Sequence, residues 1–112
     1  MSDYTNNKMH AILIDDDSLV HAMWEFSAIK HNKKIRIFAT SQQFLAISKN
    51  FPYDTPVYID SNLGEGIKGE IISKEIYEIG FKNIYLATGE NSDKFINMPW
   101  LKGIMSKSPP WE

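Results

Sequence analysis

Apolar and polar residues follow one another along the chain in blocks of two different periods. His10–Ile14 is a short apolar run without alternation, closed by Asp15, Asp16 and Asp17. Unbroken runs of this length suit a strand buried on both faces. Ser18 stands where a helix N-cap belongs. Leu19, Met23 and Phe26 follow at i, i+4 and i+7, one face of a helix ending near Lys30. The polar stretch His31–Lys34 separates it from a second apolar run, Ile35–Phe38. Thr40 or Ser41 caps a second helix, with Phe44, Ile47 and Phe51 on one face. Pro52 to Pro56 break the pattern. Val57–Ile59 is a third strand, closed by Asp60, and a glycine-containing loop, Ser61–Gly69, follows. Ile72, Ile76 and Ile79 mark a third helix that Gly80 terminates. Asn83–Ala87 is a fourth strand ending at Thr88. Asp93–Met98 has room for one short helix, stopped by Pro99, and Gly103–Met105 is a weak fifth strand before Lys107.

Strands alternating with helices predict a parallel sheet joined by right-handed crossovers. Ligands of such sheets bind outside the carboxyl ends of the strands. Those ends carry Asp15, Asp16 and Asp17, then Asp60, then Thr88, then Lys107.

The chain has 112 residues, enough for one domain. Residues 1–8 read as a polar, disordered leader and residues 9–112 as a single domain; the starting Met and this leader favour a natural start. The leader lacks the apolar core of a signal peptide. No apolar run approaches the ~20 residues of a membrane span. There is no cysteine, which excludes disulfides, thiolate metal sites and cysteine nucleophiles and fits a reducing, cytoplasmic setting. The net charge of −2 argues against broad electrostatic binding to nucleic acid. The local basic cluster of Lys30, His31, Lys33, Lys34 and Arg36 reads as a solvated face. Trp24, Trp100 and Trp111 read as packing residues, and neither His10 nor His21 has a partner at metal spacing.

Two acids after the first strand and one after the third would converge. Like charges so placed raise one another's pKa unless a cation joins them. Oxygen donors without Cys or a neighbouring His suit a hard ion, Mg²⁺ first. Such a site beside a lysine and a threonine hydroxyl is built to handle a phosphoryl group. A carboxylate there can itself be the nucleophile and form an aspartyl phosphate.

Ile14-Asp15-Asp16-Asp17, Tyr58-Ile59-Asp60-Ser61-Asn62-Leu63, Leu86-Ala87-Thr88-Gly89 and Lys107 lie in this order at successive strand ends. Over about residues 9–109 the sequence thereby resembles the response-regulator receiver domain. The resemblance implies a flavodoxin-like α/β fold, five parallel strands in the order 2-1-3-4-5. It implies that Asp60 accepts phosphate from a histidine kinase or a histidine phosphotransfer protein. Asp16 and Asp60 would hold Mg²⁺ through carboxylates, Asn62 through its backbone carbonyl, and Asp15 through a water. Lys107 would pair with Asp60 and then with the phosphoryl group, and Thr88 would swing toward that group. Asn62 and Glu90 stand where the family tunes dephosphorylation, a pair like that of chemotaxis receivers. Asp17 reads as a loop or capping acid.

The pattern departs from the family in four places. The loop Leu63–Gly69 carries a small insertion. Lys107 is followed by Ser108-Pro109 where the family has Lys-Pro, which keeps Lys102 as a second candidate. Ile104 replaces the aromatic that often couples to the threonine. Five residues follow Lys107, too few for a fifth helix, and the fourth is shortened. The bare flank left by the missing helix predicts an interface of Trp100, Leu101, Ile104, Met105 and Trp111, used by a homodimer or by a downstream protein partner. The resulting expectation is a stand-alone receiver. A phosphorylation-independent pseudo-receiver is the alternative. A magnesium-dependent aspartate phosphatase is disfavoured, because the position for its general acid is Asn62.

Overall fold

The computed structural model, which describes residues 8–91, 93, 95 and 97–112, is organised around the first apolar run. That run forms β1 (Ala11–Ile14), buried along its whole length. It pairs in parallel with β2 (Ile35–Phe38) on one side and β3 (Val57–Ile59) on the other. β4 (Ile84–Ala87) and β5 (Gly103–Met105) complete a five-stranded parallel sheet in the order β2-β1-β3-β4-β5. The flavodoxin-like order expected from the sequence is therefore the one observed. Asp15 N–H bonds the Phe38 carbonyl, Asp60 N–H the Ile14 carbonyl and Thr88 N–H the Met105 carbonyl, at 3.1, 2.9 and 2.8 Å. These bonds extend the ladders by one residue and hold the three polar side chains at one edge of the sheet.

Side chains alternate across the strands, so each strand feeds two cores. Ile12 and Ile14 face α2 (Ser41–Ile47) and α3 (Gly69–Ile79), in a cluster with Phe44, Ile72 and Ile76. Ala11 and Leu13 face α1 (Ser18–Lys30), in a cluster with Val20 and Trp24. α2 is capped by Thr40, whose hydroxyl accepts from Gln43 N–H, and continues as a 3₁₀ turn, Ser48–Asn50. Phe51 lies beyond the helix, yet its ring stacks on Phe44 at 6.1 Å. α3 ends at Gly80, whose φ of +138° a side chain would strain. Ile72 and Ile76 are buried, whereas Ile79 is exposed.

α1 differs from its sequence reading at both its cap and its face. The cap is Asp17, whose carboxylate accepts from Leu19 N–H, and Ser18 is the first helical residue. The buried stripe is Val20, Trp24, Ser27 and Ala28. Leu19 and Phe26 are 78% and 72% exposed, and Met23 and Ile29 are exposed with them. Both stripes have helical spacing. The one facing the sheet carries the largest side chain, Trp24, with Ser27 and Ala28 leaving room beside it.

The expected helix over Asp93–Met98 falls across residues 94 and 96, outside the described residues, and so does the leader apart from Lys8. After β5 the chain makes a turn near Pro109 rather than a helix. Its Trp111 meets Trp24 edge-on at 5.5 Å, and Trp111 Nε1 donates to Ser27 Oγ at 2.8 Å.

The five residues expected to form one interface are divided by the sheet. Leu101 and Ile104 pack on the core beneath α2 and α3. Met105 and Trp111 pack on the α1 side. Trp100 donates to Ser73 Oγ of α3 at 2.8 Å. Ile104 and Met105 are consecutive strand residues and so point to opposite faces. Among the described residues no helix is long and apolar enough to cross a membrane.

Candidate functional site

The acids after β1 and β3 converge. Asp15, Asp16 and Asp60 each offer a carboxylate oxygen within 4.8 Å of the others. Asp15 is fully buried, Asp60 nearly so, and Asp16 is exposed. Asp17 N–H donates to Asp15 Oδ1 at 2.8 Å, which sets the direction of that side chain. His21, one turn into α1, bonds through Nε2 to the Asp15 backbone carbonyl. Asp17 itself is committed to capping.

Lys107 enters from the end of β5. Its Nζ lies 3.3 Å from Asp60 Oδ1 and 3.5 Å from Asp15 Oδ2. Lys102 is exposed at the entry to β5 and its N–H bonds the Ile84 carbonyl, so it stands apart from the cluster. Burial pushes the Asp15 carboxyl above its ordinary range, against the pull of the Asp17 N–H and Lys107. Burial and then the Asp15 charge push Asp60 up, again against Lys107. Burial alone would lower Lys107, but the two carboxylates outweigh it and hold its pKa above the ordinary value.

The loop after β3 approaches this cluster closely. Leu63 N–H bonds the Ile67 carbonyl and Ile67 N–H the Gly64 carbonyl, so the insertion folds into a tight turn. A Cβ on Gly64 would lie 2.9 Å from Asp16 Oδ2, and one on Gly69 would lie 1.9 Å from the Asp60 carbonyl oxygen. Gly69 thus lets α3 begin against the backbone of the central acid. Asn62 is exposed, and its Oδ1 accepts from Gly64 N–H at 3.2 Å.

Thr88, at the end of β4, is buried with its Oγ1 2.8 Å from Ser61 Oγ. Ser61 Oγ donates to Glu90 Oε2 at 3.1 Å, and Glu90 N–H donates to Thr88 Oγ1 at 3.0 Å. The walls thus assembled enclose an open pocket of about 510 Å³ lined by Asp16, Asp60, Asn62, Thr88, Glu90 and Lys107, among others. Every residue expected at the site is at this edge.

The donor set fits a divalent cation such as Mg²⁺. Its ligands are all oxygen, and the three acids carry more charge than the single lysine offsets. Asp15 Oδ2 is buried without a hydrogen-bond partner, and the charge that faces it is the Lys107 ammonium at 3.5 Å, shared with Asp60. In the pocket wall a carboxylate such as Asp60 has the chemistry to act as a nucleophile, and Lys107 and Thr88 are a cation and a hydroxyl of the kind that stabilises an anionic group beside it.

Three contributors were missed in the sequence: Ser61, His21 and Trp24, whose Nε1 donates to the Lys107 carbonyl at 2.8 Å. Ser61 had a usable signal, since a serine directly after the acid that closes a buried strand must find hydrogen-bond partners inside.

No protein-family model matches the sequence, and no curated protein matches it. Solved structures do. The response regulator TrrA of Thermotoga maritima, solved in complex with Mg²⁺-BeF, is 17% identical with a TM-score of 0.75, over 93% of this chain and 90% of that one. The receiver domain of TorR, a response regulator of a TMAO respiratory system, is 17% identical with a TM-score of 0.73, over 92% and 87%. A response regulator of Chloroflexus aurantiacus is 26% identical with a TM-score of 0.69, over 89% and 86%. The chain has the fold of the response-regulator receiver domains.

Proposed function

We propose that the chain is a phospho-accepting receiver, with Asp60 as the acceptor. The observation that carries this reading is the convergence of Asp15, Asp16 and Asp60 at the strand ends, with Lys107 Nζ 3.3 Å from Asp60 Oδ1. An Asp60 oxygen attacks the phosphorus of a phosphohistidine. The P–N bond breaks as the P–O bond forms, and the departing imidazole takes up a proton. Mg²⁺ held by Asp16 and Asp60, by the Asn62 carbonyl and through a water by Asp15 would neutralise the charge of the transferred group. Lys107 keeps its ammonium against the acceptor throughout. Thr88 donates to the phosphoryl oxygen. Hydrolysis frees the acceptor: water attacks phosphorus, the P–O bond to Asp60 breaks, the carboxylate leaves, and the protons of the water go to inorganic phosphate and solvent. Glu90 and Asn62 line the side of the pocket from which that water comes.

The donor is a histidine kinase or a histidine phosphotransfer protein, in the cytoplasm. α1 supports docking of such a partner, because its exposed stripe begins at Leu19, two residues from Asp17 on the pocket rim. The output is protein contact, with a downstream partner or as a homodimer. Incubation with Mg²⁺ and a small phosphodonor, followed by intact mass spectrometry, tests the reading. A single phosphoryl adduct lost in Asp60→Asn is expected. A chain that folds, takes no adduct and still binds its partner is instead a phosphorylation-independent interaction module.

A further inference from the structure

We propose that Ser61 is a positioning residue: in the unphosphorylated protein it engages the Thr88 hydroxyl proton and so sets the threshold for the switch. The inference rests on the receiver reading above and concerns a residue to which that reading gives no role.

The hydroxyl protons fix the direction of each bond. Ser61 Oγ has one, and it goes to Glu90 Oε2 at 3.1 Å. The 2.8 Å contact between Ser61 Oγ and Thr88 Oγ1 therefore has Thr88 as its donor. Thr88 Oγ1 in turn accepts from Glu90 N–H at 3.0 Å. The three residues close a ring, from Glu90 N–H through Thr88 and Ser61 back to the Glu90 carboxylate. Both hydroxyls are buried, Ser61 to 4% exposure and Thr88 to 5%. A buried hydroxyl stripped of a partner loses stability, so the ring resists opening.

Thr88 has a single hydroxyl proton, and the ring uses it. An anionic phosphoryl group on the adjacent Asp60 needs that same proton. The two acceptors exclude one another, and the phosphoryl group gains the proton only by breaking the bond to Ser61. Breaking it also removes the donor that helps fix Ser61, and Ser61 holds the carboxylate of Glu90 at the protein surface. The state of Asp60 is passed to an exposed side chain by hydroxyl groups alone.

Beryllofluoride, which mimics the phosphoryl group, reads the competition. In Mg²⁺, Ser61→Ala is expected to bind beryllofluoride roughly fivefold tighter than the wild type, the size of one net hydrogen bond. Ser61→Thr keeps the hydroxyl and is expected to restore wild-type affinity. In a Thr88→Val background, Ser61→Ala is expected to change nothing. Without metal, the amide NMR signals of Gly89 and Glu90 in Ser61→Ala should move toward their positions in the beryllofluoride-bound wild type. A wild type that binds beryllofluoride with a Ser61→Ala variant of equal affinity and unmoved amides overturns the latch alone. A wild type that takes no beryllofluoride in Mg²⁺ overturns the receiver reading and the latch with it.

Discussion

The indole Nε1 of Trp24 donates a 2.8 Å hydrogen bond to the backbone carbonyl of Lys107, joining the buried centre of α1 to the residue whose ammonium faces Asp60. Trp24 is fully buried and packs against Tyr58 and Trp111. The position of Lys107 is thus set by core packing on the α1 side. Trp24→Phe keeps the aromatic packing and removes the donor, leaving the carbonyl without that partner. It should destabilise the protein by roughly 1–3 kcal/mol. It should also slow phosphorylation of Asp60 by a small phosphodonor. Phe44→Leu, in the other core, should cost comparable stability and leave the rate alone. Equal rates in the two variants would dissociate Trp24 from the site.

Asp16 is the exposed member of the acid triad, and its Oδ2 is the atom that a Cβ on Gly64 would press upon. Its removal should therefore cost little stability but abolish divalent binding. Mg²⁺ titration followed by tryptophan fluorescence or NMR shifts should show saturation in the wild type and none in Asp16→Ala. Unchanged Mg²⁺ affinity in that variant would sink the assignment.

The raised carboxylates make the site a stability cost that varies with pH. In the unfolded chain Asp15 ionises near its ordinary value of 3.8, and in the folded protein it ionises higher. Between those values the folded state binds more protons, so stability falls as pH rises through the window and stays reduced above it. Asp15→Asn removes this penalty while Asp60 still pairs with Lys107. Without divalent cations the variant should melt roughly 5 °C higher at pH 7. The gain should vanish below the ordinary carboxyl pKa. An equal gain at pH 3 would mean that packing, not charge, is responsible.

Much of this was legible because strand ends in a parallel sheet must converge. Asp15, Asp60, Thr88 and Lys107 close successive apolar runs, so their meeting followed from the topology. What was not legible depended on choices that periodicity leaves open. In α1, Leu19–Met23–Phe26 and Val20–Trp24–Ser27 both fit a helix face, and only the packing of Trp24 on Tyr58 decides between them. Proximity in sequence also leaves the face open: Ile104 and Met105 are neighbours in a strand and so point to opposite sides of the sheet, and one surface that uses both must take in the β5 edge. The Ser61–Thr88–Glu90 ring lay hidden because two of its bonds join residues 27 and 29 positions apart.

The ring also bears on how long a phosphoryl group would last. Ser61 holds the Glu90 carboxylate beside the pocket, and Asn62 lines the same wall. An acid and an amide so placed can orient an attacking water. Replacing Asn62 or Glu90 with arginine should lengthen the lifetime of phospho-Asp60 by roughly tenfold or more, as followed by loss of the adduct in mass spectra. No change in either variant would place the attacking water elsewhere.

The packing of the tail predicts self-association. A parallel sheet needs cover on both faces. On the α1 side, α1 itself and Trp111 supply it, with Tyr85 and Met105 only partly buried beside them. One indole covers at most ~250 Å², less than a helix would. Tyr85, Met105 and Trp111 are each only half-buried there, and apolar surface left open in this way favours an interface. Sedimentation at micromolar concentrations should show a mass that rises with concentration. Trp111→Ala should steepen the rise, because it also uncovers Trp24, and should weaken the fold by roughly 2–3 kcal/mol. Phe26→Glu, on the opposite and exposed stripe of α1, should leave the mass unchanged while slowing phosphotransfer from the partner kinase. These two variants separate the two surfaces of one helix. A monomer at every concentration, in both the wild type and Trp111→Ala, would mean that the tail completes the sheet's cover by itself.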